Sequence, residues 1–447
     1  MFMGDAAKKT DVSDMELLND LVIDVAMRNK YLRDEIFCQV IKQLTGNPNK
    51  LSEDRGWQLL WLLLTCTFPQ TDLYDELEMF LKSNPNVFAK RCLAKLHAVR
   101  SDGCRYTPPH PLEYDALNNK HPAVEYTVLF PDQSKQKIEV DSNTKMSDIH
   151  ENIVKKLRLK NGDEYGLFFG LKDKVLNVAP CDYFFDYLSH IQKYYTKPSK
   201  ASPPHEAPTR LPPPMMIFMK KIWMNATPGN DKLADVKFHF PQEVPNYLRG
   251  YHKCSTTEAV TLGSLLFKGK YGDEKQPLDQ IQDVLTSLIP RTVIGDKKPD
   301  EWKTELLAAI SKLKFPTKDD AKVAFLKELN KWKTFGSVFF EVKQRSTKSM
   351  PKHLLIAVNH NGVGLVDSHS KEVVDMYSFD KIPNWAFDEF SFTLVIGEGS
   401  SINKIYMETT VGHNMDDLIM TYVGYIMNTQ IKKKPSYAGI IVGESVC

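Results

Sequence analysis

Residues 32–64, LRDEIFCQVIKQLTGNPNKLSEDRGWQLLWLLL, decide how the rest of the chain is read. Leu32, Ile36, Val40, Ile41 and Leu44 recur at the spacing of one helical face turned toward a core. Gly46, Asn47 and Pro48 then end that helix. Ser52 restarts the chain, because a hydroxyl cap followed by Glu53 and Asp54 satisfies the free amides and the positive end of a new helix. From Trp57 to Leu64 the sequence is apolar on nearly every side, so this second helix is expected to be buried. It is far shorter than the roughly 20 residues a bilayer span needs. One amphipathic and one fully buried helix imply an all-α domain with further helices packed about them. Arg33 and Glu35 are expected to be ion-paired groups holding neighbouring helices, since charges inside a bundle are usually paired.

The run LRDEIFCQVIKQLTGNP followed by RGWQLL resembles the signature of the myosin tail homology 4 (MyTH4) domain, found in tails of unconventional myosins and of some plant kinesins. Outward from it, Ser13-Asp-Met-Glu16 is a capping-box pattern that opens a first helix through Leu17, Leu18, Leu21, Val22 and Val25. Two more helices follow, over 73–81 and 86–99. The second is basic: Lys82, Lys90, Arg91, Lys95, Arg100 and Arg105 stand against a single acid, Asp102. Such a run is read either as a solvated helix face or as a surface for an anionic partner. The family resemblance lends weight to the second reading, since several MyTH4 domains bind the acidic surface of microtubules, and leaves the first open. GCRYTPPHPLEYDAL, 103–117, resembles the closing segment of the same domain.

Past residue 120 the period changes from helical to alternating. Val124, Tyr126, Val128 and Phe130, then Ile138 and Val140, read as two strands; Met146, Ile149, Ile153 and Leu157 read as a helix. Strands at 166–169 and 175–178 and a helix at 183–195 complete a ubiquitin-like lobe. Residues 197–214 are rich in Pro, Ser and Lys, hence a linker, with RLPPP as a weak polyproline II ligand. After the core-like run MMIFMKKIWM, helices are expected at 256–267, 278–288, 301–313 and 318–332, resembling the acyl-CoA-binding-protein-like lobe of FERM domains.

Six strands follow, at 337–342, 353–358, 364–366, 373–377, 390–396 and 402–408, with Asn361-Gly362 as a type I′ hairpin turn. The glycine pair Gly397 and Gly399 marks a further hairpin. Met415, Leu418, Ile419, Tyr422, Val423 and Ile426 then form a final helix with Asp416 and Asp417 in its first turn. A sandwich plugged by one helix is the pleckstrin-homology-like plan. The expected fold class is therefore multidomain α+β, an all-α bundle followed by a three-lobed FERM domain. The expected boundaries are 12–120 for the MyTH4 domain, 122–196 for the ubiquitin-like lobe and 197–214 for the Pro-rich linker. The helical lobe takes 215–333, the pleckstrin-like lobe 334–430 and a tail 431–447. The pair resembles the C-terminal MyTH4–FERM unit of a class VII myosin, with classes X and XV and the calmodulin-binding plant kinesin carrying the same pair.

Composition narrows the function classes. A net charge of +2 over 447 residues, with 26% charged and 42% hydrophobic side chains, makes no case for nucleic acid. Seven scattered cysteines without a C-x-x-C pair argue against a disulfide framework or a zinc site and for a cytosolic protein. MFMGDAAKKT reads as an arbitrary start, so a fragment of a longer polypeptide is expected. There is no G-x-x-x-x-G-K-[ST], H-E-x-x-H or G-x-S-x-G motif, and the twelve histidines are dispersed, with His97 read as a surface or capped residue. No enzyme, cofactor or metal is expected; the motor ATPase of the parent would lie elsewhere.

What remains is recognition. By resemblance, an extended peptide would add beside a strand near 382–387, with a groove made by Ile382, Trp385, Phe387, Met415, Ile419 and Tyr422; the alternative is that the helix residues simply plug the sandwich. A cleft beside the ubiquitin-like lobe serves cargo tails in some relatives. Lys432, Lys433 and Lys434 either offset the helix end or, as in class VII tails, contact the motor domain to inhibit it. The expected partners are cytoplasmic tails of cargo or receptors, microtubules and the parent's own motor domain. Acidic lipids held through Lys172, Lys174, Lys220 and Lys221 make a membrane scaffold the alternative. The expected setting is cytoskeleton-associated, at the cell cortex or filopodial tips.

Overall fold

The computed structural model of the protein describes residues 13–119, 123–171, 175–196, 214–274, 280–346, 349–397 and 402–433. It divides into two compact units: Met1–Val128, Gln136–Ile153 and Phe169–Met216 form the first, and Leu129–Lys135, Val154–Phe168 and Ile217–Cys447 the second.

The first unit opens with α1 (Asp14–Leu18) and α2 (Asp24–Arg28), joined by a π-helical turn over Asn19–Ile23. Then come α3 (Lys30–Leu44), α4 (Lys50–Cys66), α5 (Thr71–Ser83), α6 (Val87–Asp102) and α7 (Pro111–Asn118). The buried helix is α4, as its composition requires: Trp57, Leu60, Leu62, Leu63 and Leu64 are fully enclosed. The face of α3 is not the one read from the sequence. Phe37, Val40 and Leu44 point inward, whereas Leu32 is 47% exposed, because an i, i+3, i+7 set lies in one stripe and Leu32 falls well off it. The cap of α4 also differs. The Asn49 side chain accepts from the backbone N–H of Leu51 and Ser52, while Ser52 is buried and takes a bond from the Asn47 amide. Nor does Arg33 form an ion pair among the described residues: its guanidinium donates to the carbonyls of Ala26 and Met27, filling acceptors at the end of α2, while Glu35 accepts from Gln39.

Strands β1 (Val124–Leu129), β2 (Lys135–Val140), β3 (Tyr165–Gly170), β4 (Val175–Asn177) and β5 (Met215–Lys220) form a five-stranded sheet in the order β2-β1-β5-β3-β4. Helices α8 (Met146–Leu157) and α9 (Phe184–Thr196) lie between them in sequence. The run at 215–220 is thus a strand of this sheet, not the start of the helical lobe. Its alternation, with Met216, Phe218 and Lys220 buried, is the strand period.

In the second unit, α10 (Lys232–Ala234), a π turn over Asp235–His239 and α11 (Phe240–Arg249) make a bent helix that the sequence reading did not expect. Pro245 sits inside α11 and hides it from a propensity argument. A capping box of Ser255 and Glu258 opens α12 (Thr256–Tyr271). The helix expected at 278–288 is only a 3-10 turn over Leu285–Ser287 in its described part. Helices α13 (Pro299–Lys312) and α14 (Lys318–Leu329) complete the helical part, packed on Trp302, Leu306, Phe325 and Leu326.

The strands β6 (Val338–Gln344), β7 (His353–Asn359), β8 (Gly362–Asp367), β9 (Val373–Tyr377), β10 (Asn384–Phe387), β11 (Ser391–Ile396) and β12 (Asn403–Glu408) form an antiparallel sheet. Its order is β10-β11-β12-β6-β7-β8-β9. The expected Asn361-Gly362 turn is displaced by one residue: Asn359 pairs with Gly362, so His360 and Asn361 are the loop. Neither has positive φ; the positive value, 121°, belongs to Gly362. The turn is therefore not type I′. Of the glycine pair at 397 and 399, Gly399 lies outside the described residues. Helix α15 (Gly412–Lys433) closes the sandwich by burying Met415, Ile419 and Tyr422 among Ile356, Val358, Leu394 and Ile405.

Candidate partner-binding surfaces

Strand β10 ends the seven-stranded sheet, so its outer edge carries no strand and α15 runs alongside it. Two contacts fix their spacing. The Trp385 indole N–H donates to Asp416 Oδ1 at 2.8 Å, and Gly412 lets the start of α15 approach Phe387, since a Cβ there would lie 3.0 Å from the Phe387 Cβ. Phe387 is 46% exposed at the mouth.

Four of the six residues expected to line this groove do not. Ile382, Met415, Ile419 and Tyr422 are buried, and Tyr422 spends its hydroxyl accepting the Trp223 backbone N–H at 3.0 Å. They plug the sandwich, which leaves Trp385 and Phe387. The helical wheel explains what replaces the others. Asp416 marks the flank of α15 that meets β10, and Met420, Val423 and Met427 fall on that flank, with Met420 and Met427 more than half exposed. Sequence periodicity alone could have flagged them only if the inward stripe had been taken as strictly core.

The basic run divides similarly. Lys90 and Arg91 are exposed. Lys82 is exposed but paired with Glu78 at 3.0 Å, and Arg100 lies 4.4 Å from the Tyr74 ring centre. Lys95 and Arg105 are interior and cannot face a filament. Lys95 sits 3.9 Å from the Trp61 ring centre, and burial pushes its ammonium down to about 7. Arg105 donates from Nε to Asp186 Oδ1 at 2.8 Å and from a terminal nitrogen to Glu113 at 2.5 Å. Asp186 also accepts from the Tyr106 N–H and the Thr107 hydroxyl, so its carboxylate is saturated. The spacing that placed six cations on one stretch says nothing of which side of α6 faces the core.

Lys220 and Lys221 are also consumed internally. The first pairs with the fully buried Glu164 at 2.6 Å, the second with Asp417 at 2.9 Å. Glu164 further accepts from the Asn225 backbone and side chain. Lys172, Lys174 and Lys434 lie outside the described residues, as do the Pro-rich segment 197–213 and residues 434–447; Lys432 and Lys433 end α15 with side chains not described. His97 is capped by Glu78 at 2.6 Å.

No chemistry emerges from the buried polar groups. Glu243, His252 and Thr334 are linked at 3.1 and 2.8 Å in a relay-like chain, yet all three are sealed from solvent, which makes them a structural network. Among the described residues no group of three His, Cys, Asp or Glu could hold a metal, and no helix is long and apolar enough to cross a membrane.

Comparison with known proteins places this geometry. Family models match residues 20–116 as a MyTH4 domain, 123–211 as an RA-like domain, 231–340 as a FERM central domain and 340–427 as a PTB domain of the IRS-1 type. The structure of the human myosin 7b C-terminal MyTH4–FERM domain, solved in complex with the harmonin-a PDZ3 domain, matches with a TM-score of 0.84 and 34% identity. The match covers 95% of this chain and 86% of that one. The chain belongs to the MyTH4–FERM family. Its curated relatives include Myosin-VIIa of Drosophila melanogaster, 37% identical over 433 residues, and unconventional myosin-VIIb of Mus musculus, 36% identical over 434. These alignments span 97% of this chain but 20% of each relative, so the chain corresponds to a fifth of their length. The MyTH4–FERM unit is a protein-binding module and not a catalytic domain.

Proposed function

We propose that this MyTH4–FERM unit is the cargo-binding tail module of a class VII-like, actin-based myosin, capturing extended segments of partner proteins along the free edge of β10. The observation that carries the reading is that edge itself, which no further strand of the described residues pairs and which lies beside an apolar helix flank of Val423, Met420 and Met427. An added strand gains main-chain hydrogen bonds there while the flank selects side chains. The complex of the myosin 7b unit with a PDZ domain supports protein partners as the cargo class. The test is an array of cytoplasmic-tail peptides from adhesion and receptor proteins. Peptides that bind should weaken at least about tenfold against Phe387→Asp or Met420→Asp, changes at exposed sites that leave the fold intact. Unaltered binding to both variants removes the groove.

A second surface keeps the microtubule reading alive in reduced form, resting on Lys90 and Arg91. Co-sedimentation with microtubules should fall as salt rises and should fail for the doubly neutralised variant. Acidic lipids are the weaker alternative, because Lys220 and Lys221 are already paired. Contact of residues 432–434 with the parent's motor domain, and action at the actin-rich cortex or filopodial tips, belong to the same proposal and follow from the class VII kinship.

A further inference from the structure

We infer that a cavity at the β10–β11 turn receives a cationic side chain, lysine or arginine, of the partner protein. The inference rests on the cargo-binding reading and adds a charge preference to it. The cavity measures about 520 Å³ and is lined by Arg345, Asp388, Glu389, Phe390, Tyr406 and Glu408 among others. Its volume suits a long side chain with room for the adjoining backbone.

Two aromatic rings are left in solvent here, Phe390 at 64% and Tyr406 at 51% exposure. Elsewhere the protein covers such rings with its own cations: Lys95 lies over Trp61, Lys237 over Phe130, Arg100 over Tyr74. No ring–ring or cation–ring contact of the described residues uses Phe390 or Tyr406. The charges around them sum to one negative: Asp388, Glu389 and Glu408 line the cavity with Arg345, and Lys343 pairs with Glu408 at 2.8 Å, so three carboxylates stand against two cations. Asp388 is fixed in its anionic form by the Ser391 hydroxyl at 2.7 Å and the Phe390 N–H at 2.8 Å. Exposed ring faces beside carboxylates attract an ammonium or guanidinium and repel an acid.

The register explains why the pieces converge. Ser391 pairs with Glu408 and Thr393 with Tyr406, so Tyr406 and Glu408 project to one side of β12 while Met407 between them turns inward. The turn that supplies Asp388, Glu389 and Phe390 directly continues β10. A segment added along the free edge of β10 and continued past the end of that strand comes alongside the lining residues Asp388, Glu389 and Phe390, and a basic residue in that continuation is the one the cavity would receive.

The test is a titration of the full chain, labelled at phenylalanine and tyrosine rings, with Nα-acetyl-lysine methylamide, Nα-acetyl-arginine methylamide and Nα-acetyl-glutamate methylamide. The Phe390 and Tyr406 rings should shift with both cations and stay still with the glutamate. Glu389→Lys and Tyr406→Ala, both at exposed positions, should each weaken the cations about tenfold without lowering the melting temperature. Equal shifts with lysine and glutamate, or cation binding untouched by both variants, overturn the proposal. If the cations bind but no tail peptide does, the cargo reading fails and the cavity stands. If peptides bind with no preference for a basic residue, the cavity fails and the cargo reading stands.

Discussion

Arg105 donates its Nε–H to Asp186 at 2.8 Å, joining residues 81 positions apart with both side chains wholly withdrawn from solvent. A charged pair in such a place is held by the further donors its carboxylates take: Asp186 accepts two more, from the Tyr106 N–H and the Thr107 hydroxyl, and Glu113 takes Arg105 and the His110 N–H. Asp186→Ala strands the guanidinium with half its neutralising charge. The first unit should lose about 3–5 kcal/mol, read as an early transition in urea denaturation. A loss below about 1 kcal/mol would show that water reaches the site.

Lys95 gives the first unit a pH dependence. Its folded form releases the proton near pH 7, while the unfolded chain keeps it to about pH 10. Unfolding between these values takes up a proton, so stability climbs with pH. The gain should be about 1 kcal/mol from pH 7 to 8, below the range where the buried Cys66 and Cys92 thiols, both pushed up to about 12, begin to pull the other way. In Lys95→Met the slope over that interval should vanish; a Lys95→Met curve parallel to wild type would assign the slope to other groups.

Two glycines should respond oppositely to alanine. Gly362 has φ of 121° and a Cβ there would lie 2.0 Å from the Tyr377 carbonyl oxygen, so Gly362→Ala should destabilise the sandwich by more than about 2 kcal/mol. Gly424 lies within α15 with open space where its Cβ would stand, and Gly424→Ala should stabilise by about 0.5–1 kcal/mol. Thermal melts of the two variants moving in the same direction would contradict the backbone geometry.

Tyr422→Phe keeps the ring that stacks on Phe379 at 5.3 Å but removes the hydroxyl oxygen that accepts the Trp223 N–H. The buried amide is then unmatched, at about 1–3 kcal/mol. Hydrogen exchange should report it locally: the Trp223 amide should exchange faster while those of β7 stay protected.

The sequence was most legible where one residue type serves one purpose. The apolar run of α4, the alternation in β1 and β7, the inward stripe of α15 and the family signature over 32–64 each fixed an element without reference to the rest. It was least legible where a residue has two outlets. A lysine on α6 can point to water, as Lys90 does, or lie on Trp61, as Lys95 does. A proline can end a helix or, like Pro245, ride inside one whose other contacts outweigh it.

Chain order and local pattern by themselves determined the class, a helical bundle followed by sheet-bearing lobes, and the absence of any familiar catalytic motif, because periodicity and composition are properties of neighbours in sequence. Only the tertiary structure decided which side chains reach a partner. Met415 and Met420 belong to one helix and five positions separate them, yet one is the plug of the sandwich and the other half in water. That difference is set by where β10 meets α15, a contact between segments about thirty residues apart that no local pattern encodes.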